Sequence, residues 1–227
     1  MDLAVNFFVA LFALIDPIGN VPVFAAATAG AAASGRRMVA LFICAFAFLF
    51  LTFFYFTGIT LLEFFGISLP AFRIAGGVIL FLLGLDMARD DFTGKFADAA
   101  EAGVVEGATA YARRRFERLV VPFAMPLLIG PGAISTVVIY ASKAKKLGPV
   151  GDAVGVGVLL AVSLATMICF WLTPLISRAL GRIGMTIIVR VLGLIVCAMA
   201  VQFIISGVAE TTRDLIQPAA ASPYVSK

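Results

Sequence analysis

The chain has 227 residues, 62% hydrophobic and 13% charged, with a formal net charge of +4. A soluble domain is about half apolar and about a quarter charged, so this composition carries more apolar surface than one globular core can hide and excludes an ordinary soluble fold. The chain has no histidine, which excludes His-based catalysis and the commonest metal ligand. Neither an enzyme activity nor a metal or other cofactor is expected.

The first apolar stretch runs from Leu3 past Phe24 with no Lys or Arg before it. It is too long for a signal h-region and lacks the basic n-region, which predicts a retained membrane span. A crossing takes about 20 apolar residues, and six windows qualify: residues 3–25, 38–62, 69–88, 120–141, 152–173 and 186–208. Between them lie turn signals: Gly35-Arg36-Arg37, the Gly66 to Pro70 stretch, Gly148-Pro149, and Pro174 through Gly184 with Arg178 and Arg182.

Span one carries Asp16-Pro17-Ile18-Gly19-Asn20-Val21-Pro22 at its middle. Proline has no amide hydrogen and clashes with the preceding turn, so two of them flanking a glycine predict a helix broken near mid-bilayer. Span three carries Arg73 near its outer end, followed by Gly76, Gly77 and Gly84. Gly77 and Gly84 are seven apart and share a helix face, which suits close helix packing. Glu63 and Asp86 fall at span ends and read as interfacial.

Residues 89–119 form the longest connection, with Asp90, Asp91, Asp98, Glu101 and Glu106 leading and Arg113-Arg114-Arg115 following. The segment reads as a solvated cytoplasmic linker with a short helix on anionic headgroups; a regulatory loop is the sharper reading. Span four carries Pro126 and then Ile129-Gly130-Pro131-Gly132-Ala133-Ile134-Ser135-Thr136, a second predicted break. Gly151 and Gly155 open span five as a packing G-x-x-x-G, and Arg190 lies near the inner end of span six. Residues 209–227 are a tail. Cys44, Cys169 and Cys197 each sit alone in an apolar stretch and read as small packing residues, with no C-x-x-C pair.

Two segment pairs recur at nearly one offset: Leu14 to Gly19 with Leu128 to Gly132, and Arg73 to Val78 with Arg190 to Ile195. The pattern predicts that residues 1–88 and 120–208 are copies of one three-span unit. Three is odd, so the second copy enters the membrane inverted. The expected fold is all-α: a polytopic membrane protein of six transmembrane helices in two inverted repeats, the first helix of each half broken. Ten Lys and Arg fall on one side of this arrangement and five on the other, with Arg73 and Arg190 inside spans. That asymmetry predicts both termini on the periplasmic side.

Broken helices in lipid are tolerated where protein or a water-filled cavity satisfies their backbone. Half-helix N-termini present free amides and a positive dipole end, a place suited to a carboxylate. The candidate substrate-binding residues are therefore Asp16, Pro17, Gly19 and Asn20 on one side and Gly130, Pro131, Gly132, Ser135 and Thr136 on the other. Asn20, Ser135 and Thr136 could bond a ligand or cap the half-helices, and the Ser and Thr could instead bond their own backbone. Asp16, Arg73 and Arg190 are the intramembrane charges. An arginine could neutralise Asp16 or a substrate carboxylate, both arginines could snorkel to headgroups, or Asp16 could hold a coupling H⁺ or Na⁺.

At these residues the chain resembles a known family. "DPIGNVPVF", "FRIAGGVILFLLGLDM" and "PLLIGPGAIS", in that order and spread over nearly the whole chain, resemble the MarC family, also called UPF0056 or the neutral amino acid transporter family. The resemblance implies six helices in the bacterial inner membrane and kinship with the LysE superfamily of amino-acid exporters. The motifs map to Asp16, Pro17, Gly19, Asn20 and Pro22, to Arg73, Gly76 and Gly77, and to Gly130, Pro131, Gly132 and Ser135. The expected function is a secondary transporter of small neutral amino acids or related solutes. The alternatives are a redox carrier, a passive channel or an assembly subunit with no amino-acid substrate. No G-x-x-x-x-G-K-[ST] loop calls for ATP. Lipid and a small solute are the expected partners; the basic residues lack the aromatic interleaving of a nucleic-acid surface, and a homo-oligomer is left open.

Overall fold

The structure, a computed structural model, describes residues 2–89 and 107–212. Among these there is no strand. Helix α1 (Asp2–Ile15) and the short α2 (Val21–Ala27) are followed by α3 (Ala33–Phe64) and α4 (Leu69–Arg89). After the undescribed residues, α5 (Ala108–Leu119) runs without interruption into a π-helical segment, Val120–Leu128. Then come α6 (Pro131–Lys145), α7 (Pro149–Trp171) and α8 (Thr173–Thr212). In α8 Gly181 has φ 63° and ψ −178°, a conformation open to glycine, and it kinks the helix within the predicted connection.

Four helices are long and apolar enough to cross a membrane: α3, α4, α7 and the Ile183–Thr212 part of α8. They coincide with predicted spans two, three, five and six and extend some of them by a few residues. Spans one and four are not continuous helices. The first is divided into α1 and α2, the second into the π-helical segment and α6, and every piece is shorter than the roughly 20 residues a crossing needs.

The long helices present apolar side chains outward: Leu49, Phe53 and Phe56 on α3, and Leu160, Leu164 and Ile168 on α7. In water such a surface would drive aggregation; facing acyl chains it has no such cost. Inward, the helices pack as antiparallel pairs. Tyr55 of α3 lies against Gly151 and Gly155 of α7, while at the other end Trp171 Nε1 donates to the Arg37 carbonyl at 3.4 Å. The α4–α8 seam is built on glycine. A methyl group on Gly84 would lie 2.8 Å from the Gly193 carbonyl oxygen, and one on Gly77 2.8 Å from the Ala200 carbonyl. The Gly77 and Gly84 face read from the sequence is thus the face on which α8 rests.

The connection preceding span four is less detached than the sequence suggested. Its acidic first part, Asp90 to Glu106, lies outside the described residues, but α5 is docked on the protein. Phe116 meets Phe42 and Phe46 of α3 edge-on at 6.1 and 5.7 Å. Ala112, Arg115 and Leu119 are buried beside it, whereas Arg113 and Glu117 are exposed. A solvated linker describes only the outer face of this helix.

Candidate functional site

The first break begins at Asp16, the only described non-glycine residue with positive φ, at 43°. Aspartate and asparagine enter this region more readily than other side chains because they can bond the local backbone. Here Asp16 Oδ1 accepts from the Gly19 amide at 3.1 Å. Gly19 has no side chain because one would strike the Asp16 carboxyl group and Leu192 of α8. Asn20 begins α2, but its side chain does not cap that helix. Its Nδ2 turns back and donates to the carbonyls of Ile15 at 2.9 Å and Asp16 at 3.1 Å. These oxygens lie where α1 ends: the Asp16 carbonyl also accepts from the Asn20 backbone amide at 3.1 Å, while the helix does not continue to pair the Ile15 carbonyl. Asn20 therefore completes the C-terminus of one half-helix while standing at the N-terminus of the next.

At its far end α2 is closed by a residue from another element. Arg115 of α5, 3% exposed, donates from Nε to the carbonyl of Ala27, the last residue of α2, at 2.5 Å. Burial pushes the Arg115 guanidinium below its ordinary value, yet an arginine stays cationic in proteins. A cation at a helix C-terminus also complements the dipole.

The second break uses backbone form in place of side chains. In the π-helical segment the Ile129 amide reaches back to the Ala124 carbonyl at 2.9 Å, and Gly130 is extended before α6 begins at Pro131. A proline at the first helical position loses no intrahelical bond. Pro131 packs its ring on Gly76 of α4, and Gly132 sits under the Phe203 ring of α8, each contact closed to a larger residue.

The two breaks lie at one level. Phe7 of α1 stacks on Tyr140 of α6 with centroids 4.7 Å apart and planes at 10°. Phe7 is nine residues before Asp16, and Tyr140 nine after Pro131, so equal lengths of antiparallel helix lead to both breaks. On the other side, Phe24 of α2 stacks on Phe170 of α7 at 4.4 Å, with Phe123 of the π-helical segment tilted beside both.

Between the breaks is a cavity. Leu14, Asp16 and Asn20 line it from the first, and Leu127, Gly130, Gly132 and Ala133 from the second. Leu80 and Met87 of α4 close one flank, and Leu192, Val196, Met199 and Phe203 of α8 the other. The volume is about 30 Å³, room for about two water molecules.

Of the predicted binding residues, the cavity brings together Asp16, Asn20, Gly130 and Gly132. Pro17, Gly19 and Pro131 shape the breaks without lining it. Ser135 Oγ donates to the Gly132 carbonyl at 3.1 Å, the self-bonding alternative, and Thr136 is half-buried outside the lining. The intramembrane charges do not converge. Arg73 pairs with Glu210 of α8 at 2.5 Å, and Arg190 is exposed. Among the described residues no ion pair joins either arginine to Asp16.

Two partners escaped the sequence reading. Arg115 was hidden in a basic run, although Ala112, Phe116 and Leu119 around it mark one apolar helix face. Glu210 lies in the predicted tail, and no local signal ties it to Arg73. Among the described residues no group of His, Cys, Asp or Glu could hold a metal ion.

Long apolar helices, an apolar exterior and two interrupted segments meeting at one depth define a multi-pass integral membrane protein. The chain belongs to the MarC family: residues 1–212 match the model of the MarC family integral membrane proteins. It is similar to the UPF0056 membrane protein of Aquifex aeolicus, 35% identical over 205 residues that cover 90% of this chain and 92% of the relative. A UPF0056 membrane protein of Escherichia coli is 32% identical over 206 residues, covering 89% and 90%, and one of Pyrococcus horikoshii is 34% identical over 200, covering 87% and 90%. No solved structure matches.

Proposed function

We propose that this protein is a secondary transporter of the bacterial inner membrane, moving small neutral amino acids or related solutes by alternating access around the cavity between the two breaks. The observation that carries the reading is the meeting of two interrupted helices at one level around a shared, polar-tipped space. Irregular backbone at membrane depth is found where it lines a cavity, and transporter sites are commonly formed by such discontinuous helices. Antiparallel pairing of α1 with α6, α3 with α7 and α4 with α8 supports six crossings in two inverted repeats, each helix beside its counterpart.

The chemistry of the cavity fits a small zwitterion with little side chain. Asp16 offers a negative group for an ammonium, the first turn of α6 offers the Gly132 and Ala133 amides for a carboxylate, and the remaining walls are apolar. The space holds about two waters, less than an alanine needs, so alternating access requires it to widen when either side opens.

Uptake of radiolabelled alanine and glycine into liposomes containing the purified protein tests the reading. Saturable uptake, competed by unlabelled solute, is expected. A linear, uncompeted flux would mean a pore, and no flux from folded protein would remove the amino-acid assignment. A variant with all three cysteines changed to serine is expected to keep its uptake; loss of activity would revive the redox carrier.

A further inference from the structure

The cavity contains one carboxyl group with no cationic partner among the described residues. Asp16 lines the space through a side chain whose Oδ1 already accepts from the Gly19 amide. From every described element around it the lining is neutral: Leu14 from α1, Asn20 at the start of α2, Leu80 and Met87 from α4, Leu127 from the π-helical segment, Gly130 before α6, Gly132 and Ala133 within it, and four apolar side chains from α8. The nearest charged positions along these elements face elsewhere. Asp86, beside Met87, is exposed and engaged; Arg190, two residues before Leu192, is exposed; Arg73 is held by Glu210 and Arg115 by Ala27. A carboxylate at membrane depth is held by pairing, by a bound cation or by taking a proton.

Among the described residues no cation pairs with this group, and a metal cation is poorly served. Sodium sites in broken helices draw on several oxygens, unwound backbone carbonyls among them. Here the carbonyls of Ile15 and Asp16 at the end of α1 already accept from Asn20 Nδ2. Among the described residues, Asp16 and Asn20 supply the only side-chain oxygens in the lining. A proton needs one oxygen and the space of a water molecule, both of which are present.

We propose that Asp16 is a proton-binding site that titrates each time the cavity opens to water, holding a proton when it does not hold the solute's ammonium and so making the transport cycle proton-coupled. In the step, hydronium on one side gives its proton to the carboxylate and leaves water. After the cavity reopens on the other side, the carboxylic acid returns the proton to water there. The inference rests on the alternating-access reading above, but its test requires no transported solute.

The test is an infrared titration of the purified protein in liposomes, following the C=O stretch of protonated carboxyl groups as pH is raised. A band that vanishes with rising pH in the wild type and is missing at every pH in Asp16→Asn is the expected result. Asparagine keeps an acceptor for the Gly19 amide and tolerates positive φ, so the variant is expected to fold. Circular dichroism checks this, and Asp16→Glu restores a titrating band at a shifted frequency. A wild-type spectrum with no band attributable to Asp16 overturns the inference, as does a band abolished by Na⁺ at constant pH. Either failure leaves saturable alanine uptake untouched, whereas a titrating Asp16 in a protein that moves no alanine contradicts only the proposed function.

Discussion

The two breaks solve one physical problem by different means. The first interrupts a helix with side chains that then repair the damage: Asp16 bonds the Gly19 amide, Asn20 bonds the carbonyls ending α1, and Arg115 closes α2 from another helix. The second interrupts it with backbone alone, through a widened π-helical turn, an extended Gly130 and glycines that let Pro131 and Phe203 pack tightly. Polar residues are thus concentrated at one wall of the cavity and bare backbone at the other. The difference teaches that corresponding positions need not share chemistry to share a shape.

If this contrast is right, substitutions at the second break act through sterics and those at the first through lost hydrogen bonds. The largest effect is expected for Gly132→Val, which drives a branched side chain into the Phe203 ring and costs about 3 kcal/mol, read as a lowered unfolding temperature in detergent. Arg115→Met removes the donor to a buried carbonyl and is expected to cost about 2 kcal/mol by the same measurement. Asn20→Ala leaves the carbonyls at the end of α1 without their side-chain donor, for about 1.5 kcal/mol, part of it recovered by cavity water. Ser135→Ala loses only a bond to its own helix and is expected to change stability by less than about 0.5 kcal/mol. A cost for Ser135→Ala equal to that of Asn20→Ala would erase the distinction between the breaks.

Much of this was legible in the sequence because membrane helices are coarse signals. Four uninterrupted apolar windows became four long helices, and Pro17, Pro22 and Pro131 marked the interruptions, since a missing amide and a fixed φ act locally. The seven-residue spacing of Gly77 and Gly84 likewise predicted a contact face. What was not legible depends on distant partners. Nothing near Arg73 names Glu210, and the basic run at Arg113 to Arg115 hid the one member that turns inward. Asn20 shows a related limit: position alone places it at the start of α2, while its side chain serves the end of α1. Ser135 shows the converse, a hydroxyl in a promising place that bonds the nearest carbonyl.

The central claim is that both breaks border one space reached in turn from the two sides of the membrane. Cysteine accessibility tests it most directly. In a background with Cys44, Cys169 and Cys197 changed to serine, Ala133→Cys on the cavity wall and Leu164→Cys on the lipid-facing surface of α7 are probed with a membrane-impermeant maleimide from each side. The account predicts that Ala133→Cys reacts from both sides, more slowly with alanine present, and that Leu164→Cys reacts from neither. Reaction of Ala133→Cys from one side alone, unaffected by alanine, would contradict it.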